Sequence, residues 1–168
     1  MMGTVMALLV SALVLLGVWP TLLAGVGLWL EVPPAKAHRL VLVLLVPGSA
    51  TLGLIWLGWA ALTRLQVARA ASTSTPSSRR LVMGGPYRYA RNPVALGAPL
   101  YALGFGTLFA SLGAGLFAGL VTLVLFAAYH KLIEERLLEA RFGDTYRRYR
   151  ERTPFLIPSV TRYVDRRL

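Results

Sequence analysis

The sequence predicts an all-α integral membrane protein, in which about four transmembrane helices lead into a cytoplasmic C-terminal helical extension. Hydrophobic residues make up 56% of the chain and its mean hydropathy is +0.60, above the apolar share of about 45–50% in soluble domains. Four long apolar runs contain no charged residue, and the basic residues gather in one loop and one tail. Because each span needs about 20 residues, the 168 residues predict a single membrane domain, residues 1–168.

Four uncharged runs are the predicted spans: residues 5–30, 40–63, 94–109 and 112–129. Pro20 should bend the first run or end a helix early, because proline has no N–H to donate. The second run carries Pro47. Only Ala110 and Ser111 separate the third run from the fourth, which predicts a tight helical hairpin.

Two basic segments orient the predicted bundle. The loop of residues 64–93 has six arginines and no acidic residue, and the tail of residues 130–168 is also rich in arginine. The positive-inside rule places both segments and the N-terminus in the cytoplasm, here that of a prokaryotic cytoplasmic membrane. Lys36 and Arg39 then fall outside and oppose this topology, but the six arginines outweigh them. A cleaved signal peptide is disfavoured, since the start has no basic residue and the first apolar run is too long.

Composition also argues against several classes of function. The chain has no cysteine, so it has no disulfide and no thiolate nucleophile, and no metal site is expected. The net charge of +11 does not indicate nucleic-acid binding, because the basic residues flank the spans, where anionic lipids attract them, and no nucleic-acid motif is present. A transporter or another non-enzymatic membrane protein is the less favoured class, since transport usually leaves ionisable groups inside the spans and none precedes His130.

The tail predicts two further helices. Apolar residues keep helical spacing as far as Phe142, so the last span should continue into the cytoplasm and stop at Gly143, a favourable C-cap residue. Asp144 can then cap a short helix over residues 145–152, which Pro154 closes.

Two segments carry a resemblance to a known family. "LVMGGPYRYARNP" and, after the hairpin, "EERLLEARFGDTYRRYRERTPFLIP" resemble the isoprenylcysteine carboxyl methyltransferases, integral-membrane enzymes to which the phospholipid N-methyltransferases are related. The family pattern is Gly-x-Tyr-x-x-x-Arg-(His/Asn)-Pro, a two-span hairpin, then Glu-Glu-x-x-Leu, Phe-Gly-x-x-Tyr and a closing Arg-x-Pro. All blocks occur in order within residues 81–158.

This resemblance implies that S-adenosylmethionine is the methyl donor, bound on the cytoplasmic side, and that a hydrophobic, lipid-like acceptor enters between helices. By position, Leu81 and Val82 would line the adenosine pocket. Further cofactor contacts would come from the loop and the last long helix: Tyr87, Asn92, Pro93, Glu134 and Glu135. Two positions depart from the family. Asn92 replaces the common histidine, without the usual aromatic residue beyond it, and His130 replaces an arginine near the acceptor.

The residue types suit this chemistry by themselves. Glu134 or Glu135 can pair with the ammonium of the cofactor, and the planar fork of Arg91 suits its carboxylate. A carboxylate acceptor is already ionised, so methyl transfer to it needs alignment and exclusion of water but no general base. An amine acceptor must lose a proton. His130, which shares a helix face with Glu134, is the candidate catalytic residue for that step.

Two acceptor classes therefore stay open: a carboxyl or thiol group on a prenyl-like molecule, and the amine of a phospholipid. Each site residue has a simpler explanation when taken alone. Tyr87 could belong to an interfacial aromatic belt, the two glutamates could pair with Lys131 or Arg136 on a solvated face, and His130 could be a packing residue. The joint occurrence of these residues in a fixed order favours a role in the methyltransferase site over the simpler explanations at the Tyr, Asn and Glu positions. It adds little support for such a role of His130.

Overall fold

The computed structural model describes Val10 and residues 13–30, 39–72 and 81–158. Within these ranges the chain forms helices and turns and no β-strand, which confirms the predicted all-α class. The first residues of the first predicted span, Lys36, the serine- and threonine-rich centre of the loop, and the end of the tail lie outside the described residues.

The described ranges contain six α-helices: α1 (Trp19–Trp29), α2 (Arg39–Ser72), α3 (Pro93–Phe109), α4 (Leu112–Tyr129), α5 (Glu135–Phe142) and α6 (Asp144–Arg152). A π-helical segment, Val14–Val18, precedes α1, and a second, His130–Glu134, joins α4 to α5. A 3₁₀ turn, Gly85–Arg88, precedes α3. Helices α3 and α4 coincide with the two apolar runs of the predicted hairpin to within one residue.

Two helical stretches are long and apolar enough to cross a membrane by length and composition. They are Val46–Arg69, with 24 residues, and Leu112–Phe142, with 31 residues. Val14–Trp29 and Pro93–Phe109 are apolar but shorter. Within the described residues, the four predicted spans thus contain two helical stretches of full crossing length and two shorter ones.

Glycines let the central helices approach one another closely. A Cβ on Gly53 of α2 would lie 2.5 Å from the backbone N of Tyr101 in α3. Across the hairpin, a Cβ on Gly115 would lie 2.6 Å from the carbonyl O of Leu103, and one on Gly119 would lie 3.1 Å from the Leu103 Cβ. Such close backbone packing is typical of helix association in lipid, and it agrees with a packing role for Gly115 and Gly119.

Helix α1 continues through Pro20 and is tied to the hairpin by two polar contacts. Pro20 is buried at the start of α1, directly after the π-helical segment. In a regular α-helix the N–H of residue 20 would donate to the carbonyl of Leu16, and proline has no N–H. The Tyr101 hydroxyl donates to that carbonyl at 2.9 Å. The indole Nε1 of Trp19 donates to Thr122 Oγ1, also at 2.9 Å.

The last long helix continues beyond its apolar run and ends at Gly143, as the sequence predicts, with a φ of 51°. The predicted cap of α6 is wrong. Gly143 is the N-cap, and Asp144 lies inside the first turn, where its carboxylate accepts a hydrogen bond from Arg147 at 3.2 Å. Helix α6 lies beside α5, and Arg147 and Arg150 of α6 both reach Glu139 of α5 at 2.8 Å.

Helix α2 extends to Ser72, past the predicted span end at residue 63. The predicted loop of residues 64–93 therefore begins as helix. This extension carries Arg64 one turn beyond the buried Ala60, on a rigid element next to the segment that precedes α3.

Candidate active site

Gly85 brings the loop before α3 against α2. Its φ of +57° is a left-handed conformation that favours glycine, and a Cβ there would collide with the side chain of Thr63. Gly84, one residue earlier, has open space around its Cβ position. The close approach at Thr63 places Tyr87 next to Arg64, whose Nε donates to the Tyr87 hydroxyl at 2.5 Å.

The loop is also held from its other side. The Tyr149 hydroxyl on α6 donates to the backbone carbonyl of Tyr87 at 2.7 Å. Burial raises the pKa of Tyr149, so the phenol keeps the proton that this bond needs. Residues 153–158, here named the strap, run beside the end of the loop. The Arg91 N–H donates to the Pro154 carbonyl at 2.9 Å, and the Asn92 N–H donates to the Phe155 carbonyl at 3.3 Å.

Helices α2, α5 and α6 and the loop enclose a cavity of about 320 Å³, a size found among ligand sites. Its apolar and aromatic lining consists of Val67, Ala68, Leu81, Val82, Tyr87, Leu138, Phe142, Tyr146 and Tyr149. Its charged lining consists of Arg64, Arg91, Glu134 and Arg141. The wall therefore combines an apolar surface with three guanidinium groups and one carboxylate.

Five of the nine predicted site residues line this cavity: Leu81, Val82, Tyr87, Arg91 and Glu134. The other four, Asn92, Pro93, His130 and Glu135, are buried and lie outside its lining. The backbone of Asn92 is held by the strap and Pro93 begins α3, so these two residues shape the loop.

The Glu135 carboxylate is paired with two cationic side chains of the protein. Its Oε1 lies 2.6 Å from Arg91 Nη1, its Oε2 lies 3.2 Å from Lys131 Nζ, and the side chains of Arg91 and Glu135 are only 8% and 7% exposed. The ring of Phe155 in the strap lies 5.8 Å from the Arg91 guanidinium carbon and 5.3 Å from Lys131 Nζ. The structure thus pairs Arg91 with a carboxylate of the protein. The Arg91 Nε is buried and has no hydrogen-bond partner among the described residues.

Glu134 is the carboxylate that faces the cavity, with its side chain 26% exposed. His130 Nδ1 contacts Glu134 Oε2, in keeping with the predicted shared face. The His130 ring is buried against Phe126 and Tyr129. His130 therefore lies behind Glu134 and meets the cavity through that carboxylate.

Several lining residues escaped the sequence predictions. Arg64 was assigned to the basic loop, and nothing in its local sequence separates it from the neighbouring arginines. Tyr146 and Tyr149 carried a usable signal, because they stand three residues apart in the otherwise charged helix α6 and so share one face. Both are buried, as expected if that face covers a cavity.

Within the described residues, a cavity with a mixed apolar and ionic lining lies where α2 and the helical stretch that continues α4 leave their apolar sequence. The family profile of phospholipid methyltransferases matches residues 43–145, more than half of the chain, so the protein belongs to the phospholipid methyltransferase family.

This family is in the same group as the isoprenylcysteine carboxyl methyltransferases, which confirms the resemblance found in the sequence. The protein is an enzyme that transfers methyl groups, and members of its family use S-adenosylmethionine as the donor. No curated protein and no solved structure matched the chain in the corresponding comparisons.

Proposed function

We propose that this enzyme is an integral membrane protein with four transmembrane helices that methylates a lipid-like acceptor from S-adenosylmethionine at the cytoplasmic surface. The observation that carries the proposal is the position of the Glu134 carboxylate, which faces a part-apolar, part-ionic cavity at the end of a long apolar helix. The basic residues around that cavity support a cytoplasmic location for the site and for both termini.

The cavity residues fit the parts of S-adenosylmethionine. Leu81, Val82 and Phe142 offer an apolar surface for adenine, and Glu134 offers a carboxylate for the ammonium. The Arg91 Nε is a buried donor without a partner among the described residues. Such groups normally have an acceptor, which a bound cofactor would provide. When bound, the cofactor supplies an electrophilic methyl group on its sulfonium.

The residues of the chain itself position the ligand in the cavity and displace water from the part of the cavity that the ligand fills. The loop is held between α2, α6 and the strap, so the groups that line the cavity are fixed before a ligand arrives. Burial raises the pKa of Tyr87, and its hydroxyl keeps its proton while it accepts the bond from Arg64. That proton is free to be donated to a ligand in the cavity.

Exposed apolar side chains next to the site support a lipid-like acceptor. Leu132, Ile133 and Leu137 are large, apolar and exposed, and they lie on the helical stretch that carries Glu134. An acceptor with a hydrocarbon tail could keep that tail against them while its polar end meets the cavity. Arg91 is matched by Glu135, so Arg64 and Arg141 against Glu134 leave an excess of positive charge in the lining. This excess favours a negatively charged polar end, such as the carboxylate of an isoprenylcysteine-like acceptor.

One observation favours a second acceptor, the amine of a phospholipid. An amine must lose a proton before or during methyl transfer, and the contact between His130 and Glu134 joins a buried imidazole to the cavity. In this alternative His130 accepts the proton through the Glu134 carboxylate.

The test is to incubate the purified protein in lipid nanodiscs with isotopically labelled S-adenosylmethionine, offering a prenylated cysteine with a free carboxylate and phosphatidylethanolamine in separate reactions. Mass spectrometry then identifies the labelled product. We expect label in a hydrophobic acceptor and its loss in Glu134→Gln. Glu139→Gln serves as the matched control, because Glu139 is a part-exposed glutamate of α5 outside the cavity lining. Label found only in water-soluble molecules would overturn the lipid-like acceptor.

A further inference from the structure

We infer that Arg64 recognises the carboxylate of the methyl donor, so that Arg64 and Glu134 together form a receptor for an α-amino acid group. The inference rests on the proposed function, because it assigns one part of the proposed cofactor to one residue. Arg64 thereby takes the role that the sequence predicted for Arg91.

The contacts of Arg64 leave its outer edge available. Its Nε donates a hydrogen bond to the Tyr87 hydroxyl at 2.5 Å, which fixes the plane of the guanidinium. Its Nη2 lies 3.7 Å from Glu134 Oε1, a distance too long for a hydrogen bond. The plane of the two Nη groups is therefore fixed, and among the described residues neither group has a hydrogen-bond partner. The edge that they form can hold both oxygens of one carboxylate.

The spacing of the two charges matches the ligand. In an α-amino acid the ammonium and the carboxylate are attached to the same carbon, so their protein partners must lie within a few ångströms of each other. Arg64 and Glu134 meet this condition. Both are also open to the cavity, because their side chains are 43% and 26% exposed.

The other two arginines of the cavity meet the condition less well. Arg91 already has its charge matched by the buried carboxylate of Glu135 at 2.6 Å. Arg141 stands seven residues beyond Glu134 along the helical stretch, a rise of about 10 Å. Among the described residues that line the cavity, Arg64 is thus the arginine that is both near Glu134 and unmatched by a hydrogen-bonded carboxylate.

Tyr87 acts here as a positioning residue. Its hydroxyl holds the Arg64 Nε, and its own position depends on the Tyr149 bond to its carbonyl. The receptor therefore joins α2 to the loop and to α6, and a ligand bound between Arg64 and Glu134 would add a further link between α2 and the π-helical segment His130–Glu134.

The test compares two ligands by calorimetry on the full-length protein in detergent: S-adenosylmethionine and its decarboxylated analogue, which keeps the ammonium, sulfonium and adenosine. Arg64→Met should weaken binding of S-adenosylmethionine by about tenfold or more, the low end for a hydrogen bond between charged groups because Arg64 is part-exposed. Binding of the decarboxylated analogue should stay unchanged. Arg136→Met, which removes an exposed arginine outside the cavity lining, should change neither affinity.

The ligand comparison separates recognition from folding. If Arg64→Met lowers the affinity for both ligands equally, or lowers neither affinity, Arg64 does not recognise the carboxylate. Should Arg64→Met fail to fold, Arg64→Lys permits the same comparison, since lysine keeps the charge and loses the fork; selective weakening of S-adenosylmethionine supports the inference and equal affinities reject it. Failure of the wild-type protein to bind S-adenosylmethionine would instead remove the proposed function, and this inference with it.

Discussion

Replacement of Glu135 by glutamine should destabilise the fold strongly. The Glu135 carboxylate lies 2.6 Å from Arg91 and 3.2 Å from Lys131, and the side chains of Glu135 and Arg91 are almost fully buried. Glutamine has nearly the same shape and has no charge. The change therefore leaves a buried guanidinium without its counter-charge while the packing around it is kept.

The expected size follows from the burial of the pair. Removing one partner of a buried ion pair costs about 3–5 kcal/mol. Because a glutamine oxygen can still accept one hydrogen bond from Arg91, we expect a loss near the lower end, about 3 kcal/mol. A loss of that size is a large part of the 5–15 kcal/mol that typically separates folded from unfolded protein.

The assay is denaturant unfolding in detergent, followed by the helical circular dichroism signal. Glu139→Gln is the matched control, because Glu139 also lies on α5 and also has two cationic partners, at 2.8 Å each, but this cluster is exposed. Its unfolding midpoint should move little. Equal small shifts in the two variants would refute the structural role of the Glu135 pair. Replacing Arg91 and Glu135 together by methionine should be less damaging than Glu135→Gln alone.

Three further changes test the loop and the cavity. Gly85→Ala should destabilise the protein by at least about 1–2 kcal/mol, the cost of left-handed backbone for alanine, with added collision against Thr63, whereas Gly84→Ala should have little effect; equal thermal midpoints would show that the loop does not need the left-handed turn. Glu134→Gln should weaken S-adenosylmethionine binding by about 1.5–3 kcal/mol, and calorimetry that finds unchanged binding in the folded variant would reject the ammonium contact. His130→Ala should lower kcat more with an amine acceptor than with a carboxylate acceptor, since only the amine must lose a proton, and equal losses with the two acceptors would contradict the proton-accepting role of His130.

Local signals in the sequence predicted much of the fold. The hairpin was predicted because only Ala110 and Ser111 separate two uncharged apolar runs. The structure shows how its helices begin: Pro93 opens α3 without losing a hydrogen bond, and Ser111 caps α4. The Ser111 side chain accepts a hydrogen bond from the Ala114 N–H at 3.1 Å. Gly143 likewise marks the end of α5 through its own backbone conformation. Each of these signals lies within a few residues of the feature that it predicts.

Long-range geometry was not readable in the same way. Glu134 and Glu135 are neighbours, and the sequence could not decide which of them faces the cavity. Their directions depend on the π-helical segment His130–Glu134, which changes the turn of the helix and has no clear sequence signal. The cavity role of Arg64 depends on the helical continuation of α2 to Ser72, where the apolar pattern had already ended. The family resemblance identified the right segments and could not supply these side-chain directions.

The bonds that hold the loop also set an order of assembly during synthesis. The carbonyl of Tyr87 is bonded by Tyr149 and the Arg91 N–H is bonded to Pro154. Both partners are synthesised after every residue of α1 to α4. In the proposed four-span topology, a growing chain can therefore place all its apolar helices in the bilayer while the loop still lacks these two attachments. Insertion and completion of the cavity become separate events, and a chain that stalls before α6 would be a membrane-embedded protein without a finished binding site.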